Sequence, residues 1–223
     1  MVLIDQIIRS RRKTIAIMVS REGQVIVRAP LRAREDLIRK LVQEKEAWIR
    51  EQLDHVRAAY PRYTPKQFAQ GEQFYYLGVL YPLHIMPISR PALRFEGAFY
   101  LAQSAQPQAR KAFERWYRAE AARLFTLRTA QLAALHGFQY QQIRITAART
   151  RWGSCSSRGT LSFAWRLVMA PPQVIDYVIL HELAHTRIPN HSRQYWNLVQ
   201  SIAPEFKSLR NWLKINGHML SLE

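Results

Sequence analysis

Apolar positions along this 223-residue chain fall first into strand-like blocks and later into helix-like ones. Between Leu3 and Pro30, the runs Ile7–Arg9, Thr14–Val19 and Gln24–Arg28 are rich in β-branched residues. They flank a basic turn, Ser10-Arg11-Arg12-Lys13, and a Glu22-Gly23 turn, which predicts a hairpin or three-stranded meander. Leu37, Ile38, Leu41, Val42, Trp48, Ile49 and Leu53 then recur at helical spacing. They predict one helix over Arg34–Tyr60, ended by Pro61 and Pro65. Gln73–Met86 and Leu93–Ala102 read as short strands between turns marked by Gly71, Gly78, Pro82, Pro87 and Gly97. The polar stretch Gln103–Gln108 reads as a boundary.

The second half alternates differently. Phe113, Trp116, Tyr117, Ala121, Leu124, Leu132 and Leu135 form the apolar stripe of a long helix, Gln108–His136, stopped by Gly137. Strands are expected at Gln142–Ala147 and Thr160–Phe163, with Gly153-Ser154 between them as a tight turn or anion-binding nest. Pro171 and Pro172 suit the first turn of a helix that carries Val174, Ile175, Val178, Ile179 and Leu180. Helices follow at Ser192–Ala203 and Phe206–Asn216, the last stopped by Gly217. The expected class is α+β, with a β-rich N-terminal region holding one long helix over 1–105 and a second region over 106–223.

Composition narrows the picture. Hydrophobic residues make up 48%, enough for a packed core, and no apolar run approaches a membrane span. The opening residues place their charges after an apolar patch, the reverse of a signal peptide. The single cysteine, Cys155, excludes an internal disulfide framework, and a cytoplasmic location is expected. The 33 Lys and Arg against 16 Asp and Glu give +17, which predicts weak polyanion binding.

The chemistry is concentrated in His181-Glu182-Leu183-Ala184-His185, an H-E-x-x-H pattern inside the apolar helix. Histidines four apart share a helix face, so His181 and His185 can turn toward one ion while Glu182 reaches a water on it and accepts its proton. Two histidines and a glutamate in such a run are costly to bury unless something holds them. For the third ligand, His191 follows His185 by six residues; Ile188 stands where the metzincin spacing has glycine, and Pro189-Asn190 supplies the corner. Glu205 is the rival, set back because it follows Pro204 in what reads as a loop. Three imidazoles suit Zn2+, and also Ni2+, Co2+ or Mn2+.

Other residues have candidate roles. Arg149 and Arg151 offer forks for a substrate carboxylate or phosphate, against a surface ion-pair role. Tyr195 and Tyr177 are candidates to steady an oxyanion beside the metal, with burial the default for Tyr177. Trp152 reads as core or cleft wall, and Cys155 as a buried thiol. His55, His84, His136 and His218 stand apart from the motif.

Taken in order, RWGSCSS at Arg151–Ser157, WRLVMAPPQVIDYVILHELAH at Trp165–His185 and NHSRQYW at Asn190–Trp196 resemble the YgjP-like metallopeptidase-type family, predicted metal-dependent hydrolases related to the SprT-like and WLM zincins. The resemblance extends to the opening strands and first helix. It implies a zincin-like core of a small sheet, an active-site helix and supporting helices. It also implies His181, His185 and His191 as metal ligands and Glu182 as general base, in a family that does not use the metzincin glycine. The expected function is peptide-bond hydrolysis by a metal-activated water. Hydrolysis of nucleoside triphosphates to monophosphate and diphosphate at the same site is the alternative. A nucleic-acid-binding protein with a vestigial site is the third reading. Substrate, native metal and oligomeric state stay open at this point.

Overall fold

A computed structural model of the chain describes residues 2–20, 23–59, 66–87 and 90–222, with the side chains of 55 and 57–59 left aside. The chain divides into two compact units, Met1–Pro65 and Lys66–Glu223. The expected division at 105/106 is therefore corrected. Gln103–Gln108 is a 3-10 turn that runs straight into the long helix, and the strands before it share that helix's core.

The first unit holds β1 (Gln6–Ser10), β2 (Ala16–Val19) and β3 (Val25–Pro30), then α1 (Glu35–Glu44) and α2 (Glu46–Ala59). The strand order is β1-β3-β2, with β1 parallel to β3, so the three strands are not a meander. β3 takes the centre because it alternates most cleanly: Val25, Val27 and Ala29 are buried with Ile38, Val42 and Ile49 of the helices. Asp5 fixes the register of β1, its N–H donating to the Val25 carbonyl at 3.0 Å while its Oδ2 accepts from the Val25 N–H at 2.6 Å. The single expected helix is two, interrupted at Lys45; nothing in the structure explains the interruption. The expected Glu22 turn, the helix end at Tyr60 with its two prolines, and the His55 side chain lie outside the described residues.

The second unit contains two sheets. β4 (Gln73–Tyr76), β5 (Val79–Met86), β6 (Leu93–Phe95) and β7 (Phe99–Ala102) order as β4-β5-β7-β6. β8 (Gln142–Thr146), β9 (Gly153–Cys155) and β10 (Thr160–Ala164) order as β8-β10-β9, with β9 antiparallel at one edge. α3 (Ala109–His136) buries Phe113, Tyr117, Ala121, Phe125 and Leu132. The Phe113 ring stacks on Phe74 at 4.2 Å between centroids, and Phe125 meets Phe163 of β10 edge-on at 5.6 Å. Burying side chains of this size contributes ~1.5–3 kcal/mol each, so α3 ties the two sheets to one core.

α4 (Pro172–Ala184) lies along α3 and is apolar nearly all round, as a helix enclosed by its neighbours must be. Asp176 accepts a bidentate ion pair from Arg128 of α3, whose Nε lies 2.9 Å from Oδ1. The start of α4 is fixed from the other side by the β4–β5 turn. Leu77 and Gly78 donate to the carbonyls of Val168 and Met169 at 3.0 and 2.9 Å. Gly78 has φ +83°, and a Cβ there would lie 2.9 Å from the Pro171 Cα. Gly78→Ala is expected to destabilise the fold by about 2 kcal/mol or more, through the left-handed backbone and the backbone clash together. A urea unfolding midpoint unchanged from wild type would sink that reading. α5 (Arg193–Ile202) and α6 (Phe206–Asn216) pack against α4 and complete the unit. The class is α+β, with the small sheet, central helix and supporting helices that the motifs imply. Among the described residues, no helix is long and apolar enough to cross a membrane.

Candidate metal centre

α4 ends where its histidines begin to matter. His181 lies in its last turn and His185 is its C-terminal cap residue. The chain then turns on hydrogen bonds from the Arg187 and Ile188 N–H groups to the Ala184 carbonyl. Ile188 keeps an ordinary negative φ, so this corner needs no glycine. Asn190 Oδ1 accepts from the Ser192 N–H at 3.3 Å, and Ser192 Oγ caps α5 through the Tyr195 N–H at 3.4 Å. These short-range bonds swing His191 back over α4.

The result is a convergence of ring nitrogens. His191 Nε2 lies 3.1 Å from His185 Nε2 and 3.3 Å from His181 Nε2. His185 Nδ1 lies 3.1 Å from the Ile188 carbonyl oxygen. A carbonyl only accepts, so the proton of neutral His185 belongs on Nδ1 and its Nε2 presents a bare lone pair. Burial holds both His181 and His185 below the ordinary histidine range, His181 at about 3, so both are neutral donors at pH 7. Lone pairs crowded this closely repel one another unless a cation sits between them. Nitrogens about 2.0–2.1 Å from a tetrahedral ion stand about 3.3 Å apart, which is the spacing found. The donor set therefore fits a divalent metal. Among the described residues, His181, His185 and His191 are the group of ligating side chains close enough together to hold an ion. Glu205, the rival, is exposed at the start of α6 and outside that group.

Glu182 is buried at 5% exposure, and burial lifts its carboxyl to about 8, against the opposing pull of the Arg151 charge. Its side chain lies flat against β9. A Cβ on Gly153 would stand 2.5 Å from Glu182 Oε1 and 2.6 Å from its Cγ. Gly153 is thus a strand residue that makes room for the acid, and the expected turn or nest at Gly153-Ser154 is corrected to β9. No apolar alternation betrays this strand; the signal that was available is a glycine near the motif, where two chain segments must approach closely.

Other candidates separate. Tyr195 is wholly buried, and its hydroxyl donates to the His181 carbonyl at 3.0 Å. Its ring stacks on His185 at 4.4 Å and meets His191 edge-on at 4.9 Å. The expectation that Tyr195 touches substrate gives way, because its polar end is committed and its body is the floor under the imidazoles. Tyr177 is buried beside His181. Trp196 stacks on His191 at 5.5 Å and on Phe206 at 5.4 Å, with the Arg210 guanidinium 5.3 Å from its ring. Arg151 lies near enough for its charge to act on Glu182, whereas Arg149 lines a cleft that includes none of the three histidines. Trp152 packs on Gly217, and the half-buried Cys155 thiol is raised by burial and by the Glu182 charge. His84 stacks on Tyr100, and His218 Nδ1 sits 2.9 Å from the Ile215 carbonyl, both apart from the cluster.

Comparison with known proteins follows the same line. The family model described as "YgjP-like, metallopeptidase domain" matches residues 13–216. Two solved metallopeptidase zymogens are similar at 22% identity and a TM-score of 0.37: abylysin of Pyrococcus abyssi and jannalysin of Methanocaldococcus jannaschii. The matches cover 41% and 43% of this chain, and 94% and 96% of theirs. No curated protein matches.

Proposed function

Because the chain belongs to the YgjP-like metallopeptidase family, whose model spans residues 13–216, we propose that it is a metal-dependent hydrolase that cuts peptide bonds. In this reading His181, His185 and His191 hold the metal and Glu182 is the general base. The observation that carries it is the meeting of three Nε2 atoms, two of the contacts at 3.1 and 3.3 Å, one residue along the helix from a buried carboxylate. Zinc is the expected ion, with nickel, cobalt or manganese acceptable to the same donors. When bound, such an ion acidifies water and polarises the carbonyl under attack.

The chain's own groups do the rest. The Glu182 carboxylate takes the proton of the attacking water and returns it to the leaving nitrogen. Burial raises the proton affinity of its carboxyl above the ordinary range, which favours its taking up that proton. Gly153 backs the carboxylate and Tyr195 steadies the ring of His185. β9 is the edge of its sheet and packs on α4, so an extended peptide can add to that edge by backbone hydrogen bonds and lie across Glu182.

A second reading, cleavage of nucleoside triphosphates to monophosphate and diphosphate, draws its support from the Arg151 charge beside Glu182. The test is incubation with casein and with each nucleoside triphosphate, wild type against Glu182→Gln. Casein cleavage is expected to fall between about a hundredfold and ten-thousandfold in the variant. Inert casein together with nucleotide turnover lost in Glu182→Gln would move the assignment to the second reading. Turnover of neither, with salt-dependent nucleic-acid binding that survives the variant, would leave the site vestigial.

A further inference from the structure

α5 and α6 pack on α4 and bring Trp196 against His191. Their sequences carry Arg193, Lys207, Arg210 and Lys214, and no Asp or Glu. Arg210 extends from this group to the metal centre. Its guanidinium lies 5.3 Å from the centre of the Trp196 ring, and that ring lies 5.5 Å from His191 and 6.0 Å from His181. Its charge acts on His181 and on Tyr177, one turn earlier on α4. Among the described residues, Arg210 has neither a hydrogen bond nor an acidic partner; the Trp196 ring is its contact. A ring contact satisfies no N–H, so the donors of the guanidinium stay open on an exposed residue. An exposed arginine by itself is ordinary. This one is tethered by an aromatic ring that also touches two of the metal-binding histidines, which orders the fork before any ligand arrives. Arg151, another cation near the centre, acts on Glu182 from the β8–β9 connection, but no ring contact among the described residues holds it.

We propose that Arg210 is a specificity-determining residue, which binds a carboxylate of the peptide substrate close to the bond that is cut. This rests on the reading that the centre cuts peptides. A guanidinium fork matches the two oxygens of a carboxylate, whereas the neutral carbonyls of a peptide backbone are served by N–H groups such as those of a strand edge. One aromatic ring separates the fork from His191, in steps of 5.3 and 5.5 Å. A peptide strand advances ~3.3 Å per residue, so the carboxylate belongs within about three residues of the cut bond. The absence of acids from α5 and α6 leaves the substrate as the source of the negative charge on this side.

Binding is read on full-length Glu182→Gln protein loaded with zinc, by fluorescence anisotropy of labelled peptides, so that cleavage does not interfere. The peptides form matched sets with Glu, Gln or Lys at each position near one central bond, with a free or an amidated C-terminus. At one position the Glu peptide is expected to bind between about tenfold and a hundredfold more tightly than the Gln peptide, the worth of one charged hydrogen-bonding partner. Arg210→Ala should bring the two within about twofold, and Arg210→Glu should turn the preference toward Lys, both at unchanged zinc content. Arg210→Lys keeps the charge without the fork and should fall between, which preserves the test if the alanine variant does not fold. A preference that follows the free C-terminus rather than the side chain upholds the anchor and places the carboxylate at the chain end. Equal binding of Glu and Gln peptides, or binding of none, would overturn the anchor. So would a preference lost in Arg151→Ala instead, or one kept in Arg210→Ala while zinc is lost, the mark of a residue that only props Trp196. Casein left uncut by wild type, with a Glu preference that Arg210→Ala abolishes, would fell the peptidase reading and leave the anchor standing.

Discussion

Gly153→Ala is expected to lower casein cleavage at least about a hundredfold while leaving metal content unchanged. The added methyl would lie 2.5 Å from Glu182 Oε1, 2.6 Å from Cγ and 2.8 Å from Cδ. Contact along the stem, not only at the tip, means that a small rotation of the carboxylate does not relieve it. β9 has little freedom to retreat, since Gly153, Ser154 and Cys155 are in register with Phe163, Ser162 and Leu161 of β10. The acid must therefore move, and an ångström of misplacement at a catalytic group is worth about two orders of magnitude. The loss should appear in kcat, because metal and substrate contacts are left alone. Ser154→Ala, next along the strand, serves as the control. A Gly153→Ala enzyme as fast as wild type would mean that Glu182 is not held where the structure puts it.

The second large effect concerns the third ligand. His191→Ala is expected to strip the protein of bound metal on dialysis, and Glu205→Ala to retain it, both read by elemental analysis. Removing a group that merely orients a ligand costs 10–100-fold in affinity, so losing one donor of three should exceed that range. Glu205 has no part in the cluster, and its own backbone carbonyl accepts from the Ser208 hydroxyl at 2.8 Å. Metal kept in His191→Ala and lost in Glu205→Ala would replace the three-histidine set.

Much of the site is legible in the residues alone, because the H-E-x-x-H spacing has a mechanical meaning on a helix and α4 is strongly patterned. His191 is also legible, since a proline and an asparagine mark the corner before it. What escapes the linear reading depends on contacts between distant segments. β9 consists of Gly153, Ser154 and Cys155, with no β-branched or aromatic residue among them, and it is a strand because β10 pairs with it. The parallel pairing of β1 with β3 is likewise set by burial of the Val25, Val27 and Ala29 face rather than by the turns. The polar Gln103–Gln108 stretch resembles a linker in composition, yet it winds directly into α3. Arg149 and Arg151 look equivalent two residues apart, and only the packing of their connection sends them to different places.

His181 rides on α4 and His185 caps it, while His191 comes from the corner after it and leans on Trp196 of α5, itself stacked on Phe206 of α6. The grip on an ion thus spans two regions of unequal solidity. Fraying of the C-terminal helices would loosen that grip long before the α3–α4 framework gave way. Conversely, a seated ion would act as a rivet for those helices, so protease resistance near the C-terminal end should report whether the centre is loaded.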